Sequence, residues 1–150
     1  MNSKVRDVED RDWPAICQLG HEFYVEGKLP GQFVPAIFEK NWRSWLNIEI
    51  GVLLVLDCEG EVGGVIGALV SEDPCDGTKV AQEMFWFVGR QSRGHGLKLI
   101  DALELTLIGM GVRRLTMAHL SSLRAKPLAA LFARKGFRPV ETHYVKELPE

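Results

Sequence analysis

The residues with the clearest chemical meaning lie in one loop, residues 89–96, which reads GRQSRGHG. Between its glycines the loop holds arginine, glutamine, serine and histidine, and none of these side chains is apolar. Gly94 and Gly96 allow backbone conformations that other residues avoid, and they let a ligand approach the main chain. A helix that follows such a loop offers unpaired N–H groups and the positive end of its dipole. Together these features predict an anion site, most simply a phosphate site.

The loop stands between a predicted buried strand and a predicted amphipathic helix. The strand, Lys79–Val88, is apolar on both faces from Met84 onward, which is typical of a central strand covered by helices on both sides. The helix is predicted over about residues 95–108, where apolar side chains recur at helical spacing before glycines end the pattern. That apolar stripe holds Leu97, Ile100, Leu103 and Leu107.

The rest of the chain supplies the elements that must position this loop. Residues 4–8 alternate and predict a short first strand, and helices are predicted at about 13–25 and 33–46. A hairpin of strands at 52–56 and 62–70 precedes the loop; a strand at 113–120, a helix from Pro127 to Gly136 and a strand at 138–148 follow the loop's helix. The order is β-α-α-β-β-β-α-β-α-β, without repeat or linker, so we expect a single mixed α/β domain over residues 1–150.

The composition narrows the class of protein. The chain has 150 residues, of which 46% are hydrophobic and 25% are charged, as in a single globular domain. A net charge of −2 provides no global basic field for nucleic-acid binding. The polar N-terminus and the lack of a long apolar run predict neither a signal peptide nor a membrane span. Three dispersed cysteines without CxxC spacing predict free thiols in a reducing cytoplasm, and no zinc site.

Two motifs together resemble those of the GNAT family of acyl-CoA N-acyltransferases. The segment QSRGHG resembles the family's Q/R-x-x-G-x-G/A pyrophosphate loop, with Gln91, Gly94 and Gly96 at its three defining positions. The segment FARKGF, Phe132 to Phe137, precedes the last predicted strand as in the family. The resemblance covers nearly the whole chain. It implies a three-layer α/β fold with a mixed, mostly antiparallel central sheet that is splayed between the fourth and fifth strands.

The resemblance also implies acetyl-CoA as the cosubstrate, with no metal. The pantetheine arm would pair with the main chain near Phe87 and Val88, and backbone N–H groups near the loop would hold the pyrophosphate. The implied cofactor-binding residues are Phe87, Val88, Gln91, Arg93, Gly94, His95, Gly96, Leu97, Lys98 and Phe132. A nucleotide as the phosphate ligand and an ordinary strand-to-helix turn stay open as alternatives. A Rossmann site is excluded because Leu99 stands where G-x-G-x-x-G needs its third glycine.

Amine acetylation needs a base that takes a proton from the ammonium and an acid that returns one to the thiolate. The resemblance implies Glu83 as the base; the alternative is a strand carboxylate paired with a neighbouring cation. The family's tyrosine acid falls on Phe132, which has no proton to give, and an asparagine of the motif falls on Ala125. Replacement acids are His119, Ser121, Ser122, Tyr144 or a water, and Tyr144 is preferred over its neighbour His143.

We therefore expect an acetyl-CoA-dependent N-acetyltransferase in which a primary amine attacks the thioester directly in a ternary complex. The alternative is a catalytically weak module of the same fold that binds CoA or a partner, because Phe132 and Ala125 depart from the family pattern. A nucleotide-binding regulator is a third hypothesis. Residues 21–49 are expected to wall the acceptor side, and the acceptor stays open between a small amine, an amino acid, a peptide terminus and a protein lysine. The resemblance implies a homodimer through the last predicted strand as one alternative, and a monomer stays open as the other.

Overall fold

The computed structural model describes residues 2–120 and 125–150 of the chain. Within them the chain forms two compact units, Met1–Ala118 and His119–Glu150. The first unit carries the sheet and three helices, and the second carries the last helix. No helix in the described ranges is long and apolar enough to cross a membrane.

A sheet of five strands forms the centre of the first unit as the structure describes it. The strands are β1 (Ser3–Asp7), β2 (Gly51–Cys58), β3 (Glu61–Glu72), β4 (Lys79–Val88) and β5 (Arg114–Thr116), and they lie side by side in that order. The first four pair antiparallel, and β5 runs parallel to β4. The sequence predicts a mixed, mostly antiparallel sheet, and the structure confirms it.

The sheet is splayed between β4 and β5, as predicted. Residues of β5 pair only with Val80, Ala81 and Gln82 of β4. The rest of β4, residues 83–88, therefore has no strand partner on that side among the described residues. An extended ligand lying beside this stretch would pair with its backbone groups as an added strand does.

Helices cover both faces of the sheet. Helices α1 (Trp13–Gly27) and α2 (Pro35–Asn47) lie on one face, and α3 (Leu97–Gly109) lies on the other. In the core on the α1/α2 face, side chains of the two helices pack against side chains of β2, β3 and β4. The buried members are Trp13, Ile16, Trp42, Leu53, Val55, Val65, Phe85 and Phe87. Each large side chain buried there contributes about 1.5–3 kcal/mol through removal of apolar surface from water.

A β-bulge interrupts the pairing of β3 with β4. Gly67 pairs with Phe85 and the next residue, Ala68, pairs with Glu83, so Met84 is an extra residue in β4. A bulge of this kind changes which face of the sheet the following side chains occupy. The bulge therefore decides which side chains of β4 share a face with Glu83.

The second unit departs from the sequence prediction. Its helix α4 (Ala125–Arg134) begins two residues before the predicted start and ends two residues before Gly136, whose φ is +89°. The predicted last strand, Arg138–Leu148, is wrong: residues 137–150 form no strand. The predicted fifth strand, 113–120, is also too long, because β5 ends at Thr116. Alternation of apolar and polar residues makes a strand only where a neighbouring strand completes its hydrogen bonds.

Candidate anion and proton-transfer site

The loop between β4 and α3 is shaped by two glycines with different constraints. Gly94 has a φ of +97°, in the region that side chains disfavour. Gly96 begins α3 in an ordinary conformation, but a Cβ there would lie 2.8 Å from Val88 Cγ2 and 3.3 Å from Trp86 Cζ2. The first glycine is therefore required by backbone angle, and the second by the close approach of two β4 side chains.

Some of the backbone N–H groups of this loop donate to no backbone acceptor among the described residues. Short turns use the amides of Ser92 and His95, which donate to Gly89 O and Ser92 O at 2.9 and 3.0 Å. Among the described residues, the amides of Gly94 and Gly96 donate no hydrogen bond to the backbone. Leu97 is the first residue of α3, so its N–H also lacks an intrahelical acceptor. This is the donor arrangement that the sequence predicts for a phosphate.

The hairpin of β2 and β3 packs against the loop of residues 89–96. The amide of Gly89 donates to Gly63 O at 2.9 Å, and the buried Ser92 hydroxyl lies 3.6 Å from Cys58 Sγ. A Cβ on Gly63 would lie 2.2 Å from Ser92 Oγ, so only glycine leaves room for this serine. The loop therefore packs tightly against the hairpin of β2 and β3.

The first strand holds the other end of the loop. Lys98 Nζ donates to both the carbonyl oxygen and the hydroxyl of Ser3, each at 2.9 Å. Ser3 Oγ lies 3.1 Å from His95 Nδ1. An ammonium only donates, so the serine hydroxyl is free to donate to Nδ1, and neutral His95 then carries its proton on Nε2. The ammonium of Lys98, predicted to add charge to the anion site, is therefore engaged by β1.

The guanidinium of Arg93 is paired as well. Its Nη2 lies 3.1 Å from Glu26 Oε1 and 3.4 Å from Oε2, at the end of α1. Arg90, which is absent from the predicted site residues, is exposed and forms no ion pair with any described residue. Gln91 is also exposed. The donors of the candidate anion site are therefore backbone N–H groups, because Arg93 and Lys98 are held by Glu26 and Ser3.

Glu83 is the buried acidic residue of β4. It is 6% exposed, and its Oε2 lies 3.5 Å from the amide nitrogen of Ala118, at the limit of a hydrogen bond. Burial raises the pKa of Glu83 to about 7, and the weak backbone contact only partly offsets it. A carboxyl group with a pKa near neutrality exchanges protons readily at physiological pH.

The bulge places Glu83 on the same face of β4 as the loop contacts. Val88 pairs with Gly64 and Glu83 pairs with Ala68, and side chains that pair across two strands share a face. Gly64 and Ala68 are four residues apart, so they lie on one face of β3. In an unbulged strand, residues 83 and 88 would point to opposite faces. Because Met84 is inserted, the α3 face of β4 carries both the acidic group and the contact with Gly96.

Trp86 lies between Glu83 and Val88 on the α3 face of β4, and the sequence prediction did not include it among the site residues. An isolated tryptophan in an apolar strand is typical of core, so the sequence predicts no ligand contact for Trp86. In the structure its ring is partly exposed, while its Nε1 is buried without a hydrogen-bond partner among the described residues. Its position two residues before Val88, beside the loop, is the signal that sequence reasoning could have used.

The predicted residues of the second unit cluster only in part. Phe132 is buried, with its ring centroid 6.2 Å from that of His119 and 5.5 Å from that of Phe137. His119 is exposed and lies beyond the end of β5. Tyr144 is 93% exposed, and residues 137–150 form no strand, so the expectation that only one of His143 and Tyr144 faces the site no longer has a basis. Ser121 and Ser122 lie outside the described residues. The roles of all these groups stay predictions.

A cavity of about 340 Å³ lies at the far edge of the first unit, between the end of β1 and α2. Its charged groups already pair with one another, since Arg43 binds Asp10 at 2.8 Å and covers the ring of Trp13 at 5.1 Å. No described group of three or more histidine, cysteine or acidic residues could hold a metal ion. The loop of residues 89–96 is therefore the best candidate site.

Comparison with solved structures identifies the architecture. A GNAT family acetyltransferase from Staphylococcus aureus superposes with a TM-score of 0.71 at 15% identity, covering 99% of this chain and 100% of that one. The fold is that of the GNAT acetyltransferases. The resemblance predicted from the sequence is thereby confirmed for the fold. No family model and no curated protein sequence matches the chain.

Other similar structures carry different descriptions. A predicted acetyltransferase with acetyl-CoA from Clostridium acetobutylicum gives a TM-score of 0.78 at 10% identity, covering 97% of this chain and 96% of that one. A transcriptional regulator from Bacillus halodurans gives 0.79 at 14% identity, covering 98% and 100%. Identities this low establish the shared fold, and the activity has to be argued from the site.

Proposed function

We propose that the chain is an acetyl-CoA-dependent N-acetyltransferase that acts on a primary amine. The observation that carries the proposal is that Glu83 and Val88, which contacts the loop at Gly96, lie on one face of β4. An acidic group with a pKa of about 7 lies on the same side of β4 as a loop in which the amides of Gly94 and Gly96 have no backbone acceptor among the described residues, and this stretch of β4 lies beyond its last pair with β5. Anion binding at one end and proton transfer at the other are the two tasks that acetyl transfer from a phosphorylated carrier requires.

The residues at the loop fit the pyrophosphate of CoA. The N–H groups of Gly94, Gly96 and Leu97 would hold it, and the lack of a Cβ on Gly96 lets α3 start close against β4. The unpaired edge of β4 at residues 83–88 suits the arm of the carrier, as an added strand would pair there. When bound, acetyl-CoA supplies the activated acyl group as a thioester.

Glu83 would act as the general base. With a pKa near 7 it is ionised in about half of the molecules at neutral pH, so it accepts a proton from an alkylammonium directly or through a water. Its raised pKa comes from burial, so the carboxylate is not stabilised by a neighbouring cation. This favours the base over the alternative of a paired strand carboxylate, because no described cation forms an ion pair with Glu83.

The proton for the leaving thiolate has no assigned donor. His119, Tyr144 and a water remain candidates, and Phe132 provides an apolar surface at the position of the family's acid. A thiolate leaves as a fairly stable anion, so the reaction needs less help from an acid at this step. Direct attack by the amine in a ternary complex requires no covalent enzyme intermediate, and Cys75 is exposed with no histidine contact among the described residues.

Release of free thiol from acetyl-CoA over a panel of amines tests the proposal. The panel should include small amines, amino acids, peptides with free N-termini and lysine-containing peptides, because the acceptor class is open. We expect one class to accelerate thiol release in proportion to enzyme, with the acetylated amine as the product. Failure of acetyl-CoA to bind at millimolar concentration would reject the proposal.

A binding module is the second candidate. Phe132 and Ala125 favour it, because neither residue has the polar group of the family motif. The raised pKa of Glu83 favours the enzyme. Binding of acetyl-CoA without thiol release for any amine of the panel would support the module.

A further inference from the structure

The cavity of about 340 Å³ between the end of β1 and α2, here called the β1/α2 cavity, is separate from the residues of the proposed function. Its lining comes from residues 8–10, which follow β1, from Trp13 at the start of α1, and from three side chains at the end of α2. None of them belongs to β4 or to the loop of residues 89–96. Pockets that bind small molecules enclose about 300–1,000 Å³, so the cavity is large enough for a small ligand.

The deeper part of the lining is apolar. Val8 and Leu46 are partly buried and pack against the hydrophobic core, and Trp13 is only 3% exposed. An aliphatic group that displaces water from these three side chains binds favourably, and each methylene that it buries strengthens binding roughly 4-fold. This part of the cavity therefore favours the aliphatic end of a ligand.

Arg43 provides the cation of the exposed part. Its Nη1 donates to Asp10 at 2.8 Å and its Nε donates to Glu39 at 3.1 Å. The guanidinium carbon also lies 5.1 Å from the centre of the Trp13 ring, so the group is held in place by three contacts. Its Nη2 forms no hydrogen bond with any residue that the structure describes. Both N–H donors of Nη2 are therefore available, and a carboxylate fits guanidinium donors well.

Asp10 provides the opposite charge beside Arg43. Its side chain is 90% exposed, and only its Oδ1 is bonded, to Nη1 of Arg43, within the described ranges. Its Oδ2 can therefore accept from an ammonium group, whereas the carboxylate of Glu9 is already bound to Arg11 at 2.6 Å. Since Arg43 and Asp10 are in direct contact, binding positions for a carboxylate and for an ammonium lie next to each other.

Charge balance narrows the class of ligand. A carboxylate alone would gain little, because Asp10 and Glu39 already offset the charge of Arg43. An alkylammonium alone would leave the donors of Nη2 unused. An α-amino acid carries both groups on one carbon atom, and its side chain can extend from that carbon to the apolar lining. The amide of Asn47, at the end of α2, adds a donor and an acceptor at the same opening.

We propose that the β1/α2 cavity binds an α-amino acid with an aliphatic side chain. Nη2 of Arg43 binds its carboxylate, and Asp10 binds its ammonium. Val8, Trp13 and Leu46 contact its side chain. The proposal goes beyond the proposed function, because the cavity shares no residue with the anion loop and needs no acetyl-CoA. A ligand as small as leucine at an open site is expected to bind with a Kd of about 1 mM.

Proton–nitrogen correlation spectra of the full chain, recorded during titration with three matched probes, test the proposal. The probes are leucine, 3-methylbutylamine, which lacks the carboxylate, and 4-methylpentanoate, which lacks the amine. We expect leucine to shift the backbone amides of residues 8–10 and 43–47 with saturation. The other two probes should bind at least about 10-fold more weakly, because each loses one charged partner.

Two variants assign the charged groups. Asp10→Asn removes the ammonium partner at an exposed position, so the chain should fold normally and bind leucine about 5-fold more weakly. Arg43→Lys keeps the positive charge but loses the planar fork, and a similar loss is expected. Asp7→Asn is the matched control, since Asp7 is an exposed carboxylate of β1 that does not line the cavity; its affinity for leucine should equal that of the unmodified chain.

The remaining outcomes overturn the proposal in separable ways. Absence of saturable shifts up to about 50 mM leucine would show that the cavity binds no aliphatic amino acid. Equal binding of leucine and 3-methylbutylamine would show that the ligand is an amine and that Arg43 is not its partner. Shifts confined to β4 and to residues 89–96 would place leucine at the proposed acetyl-transfer site instead. Failure of acetyl-CoA to bind would reject the proposed function and leave this proposal intact.

Discussion

Arg93, in the loop of residues 89–96, is bound to Glu26 of α1, with its Nη2 3.1 and 3.4 Å from the two carboxylate oxygens. The pair joins the segment predicted to hold phosphate to the helix predicted to wall the acceptor side. Both side chains are about one-third exposed, so the pair is weak and open to exchange. A phosphate anion that reaches the loop competes with Glu26 for the same guanidinium.

Replacing Glu26 by glutamine is therefore expected to strengthen anion binding. Removal of the competing charge frees Arg93, and an exposed pair of this kind is worth up to about 1 kcal/mol, so the affinity for pyrophosphate should rise about 2- to 5-fold. Titration calorimetry at low salt measures it. Glu22→Gln, on the same helix, is the control and should change nothing. In an Arg93→Gln background the effect of Glu26→Gln should vanish; a gain that persists there would show that Arg93 is not the group released.

A methyl group at Gly96 is expected to disturb the loop. The added Cβ would lie 2.8 Å from Val88, so either α3 or the strand has to move, at a cost of about 1–3 kcal/mol. We expect Gly96→Ala to weaken CoA binding at least 10-fold while the chain stays folded, as judged by calorimetry and circular dichroism. Gly109→Ala, at the open end of α3, is the control because no atom lies within 4 Å of its Cβ position. Equal CoA affinities for the two variants would contradict the assigned role of Gly96.

Glu83 should set the pH dependence of turnover. Because its pKa is about 7, kcat/KM for amine acetylation is expected to rise as the pH increases through 7, with the ionised base as the active form. Glu83→Gln should lower kcat by about 100-fold or more and leave the Kd of acetyl-CoA within a factor of two. Glu72→Gln, an exposed carboxylate of β3, is the control. A Glu83→Gln rate that stays normal at every pH would reject Glu83 as the base.

The same group should reduce stability at neutral pH. Its folded pKa lies above the ordinary value of about 4.5, so the folded state prefers the proton; the unfolded chain releases it as the pH rises past that value. Stability is therefore expected to fall between pH 4.5 and 7, by up to about 3 kcal/mol. Glu83→Gln, which stays neutral, should raise Tm at pH 8 more than at pH 5. Thermal melts across this range measure it, and a larger gain at pH 5 would contradict the raised pKa.

Arg6 should stabilise the fold by holding two carboxylates. It donates to both oxygens of the buried Asp12 at 2.8 and 3.0 Å, and to Asp57 at 2.8 Å. These bonds from Arg6 lower the pKa of Asp12 and of Asp57. Arg6→Met is therefore expected to lower Tm by about 4–8 °C at pH 7.

The pH dependence of this loss follows from the lowered pKa values. The stabilisation is present above the ordinary carboxylate pKa of about 4 and is lost as the pH falls below it, because protonated Asp12 and Asp57 no longer attract Arg6. The Tm difference between the unmodified chain and Arg6→Met should therefore shrink toward pH 3. Arg11→Met removes an exposed pair with Glu9 and should cost far less. A gap of constant size across this pH range would show that Arg6 acts through packing alone.

The second unit shows where local patterns are insufficient. Residues 138–148 alternate, which predicts a strand, yet the segment forms none. A strand depends on hydrogen bonds to a neighbour, and the neighbour is not encoded in the segment itself. Helix α4, whose hydrogen bonds are local, is predicted from a proline near its start and a glycine after its end. The preference for Tyr144 over His143 lost its basis for the same reason.

The sequence by itself determined the order of elements through α4, the mixed α/β class and the loop of unpartnered donors. Those features rest on local chemistry: glycine conformation, helical spacing and the free N–H groups of a helix start. The tertiary structure decided which groups meet. Only pairing with β3 reveals the bulge at Met84, which turns Glu83 to the face of Val88 and Trp86. Only packing shows Arg93 on Glu26 and Lys98 on Ser3, because each partner lies more than 60 residues away in the chain and no local pattern specifies it.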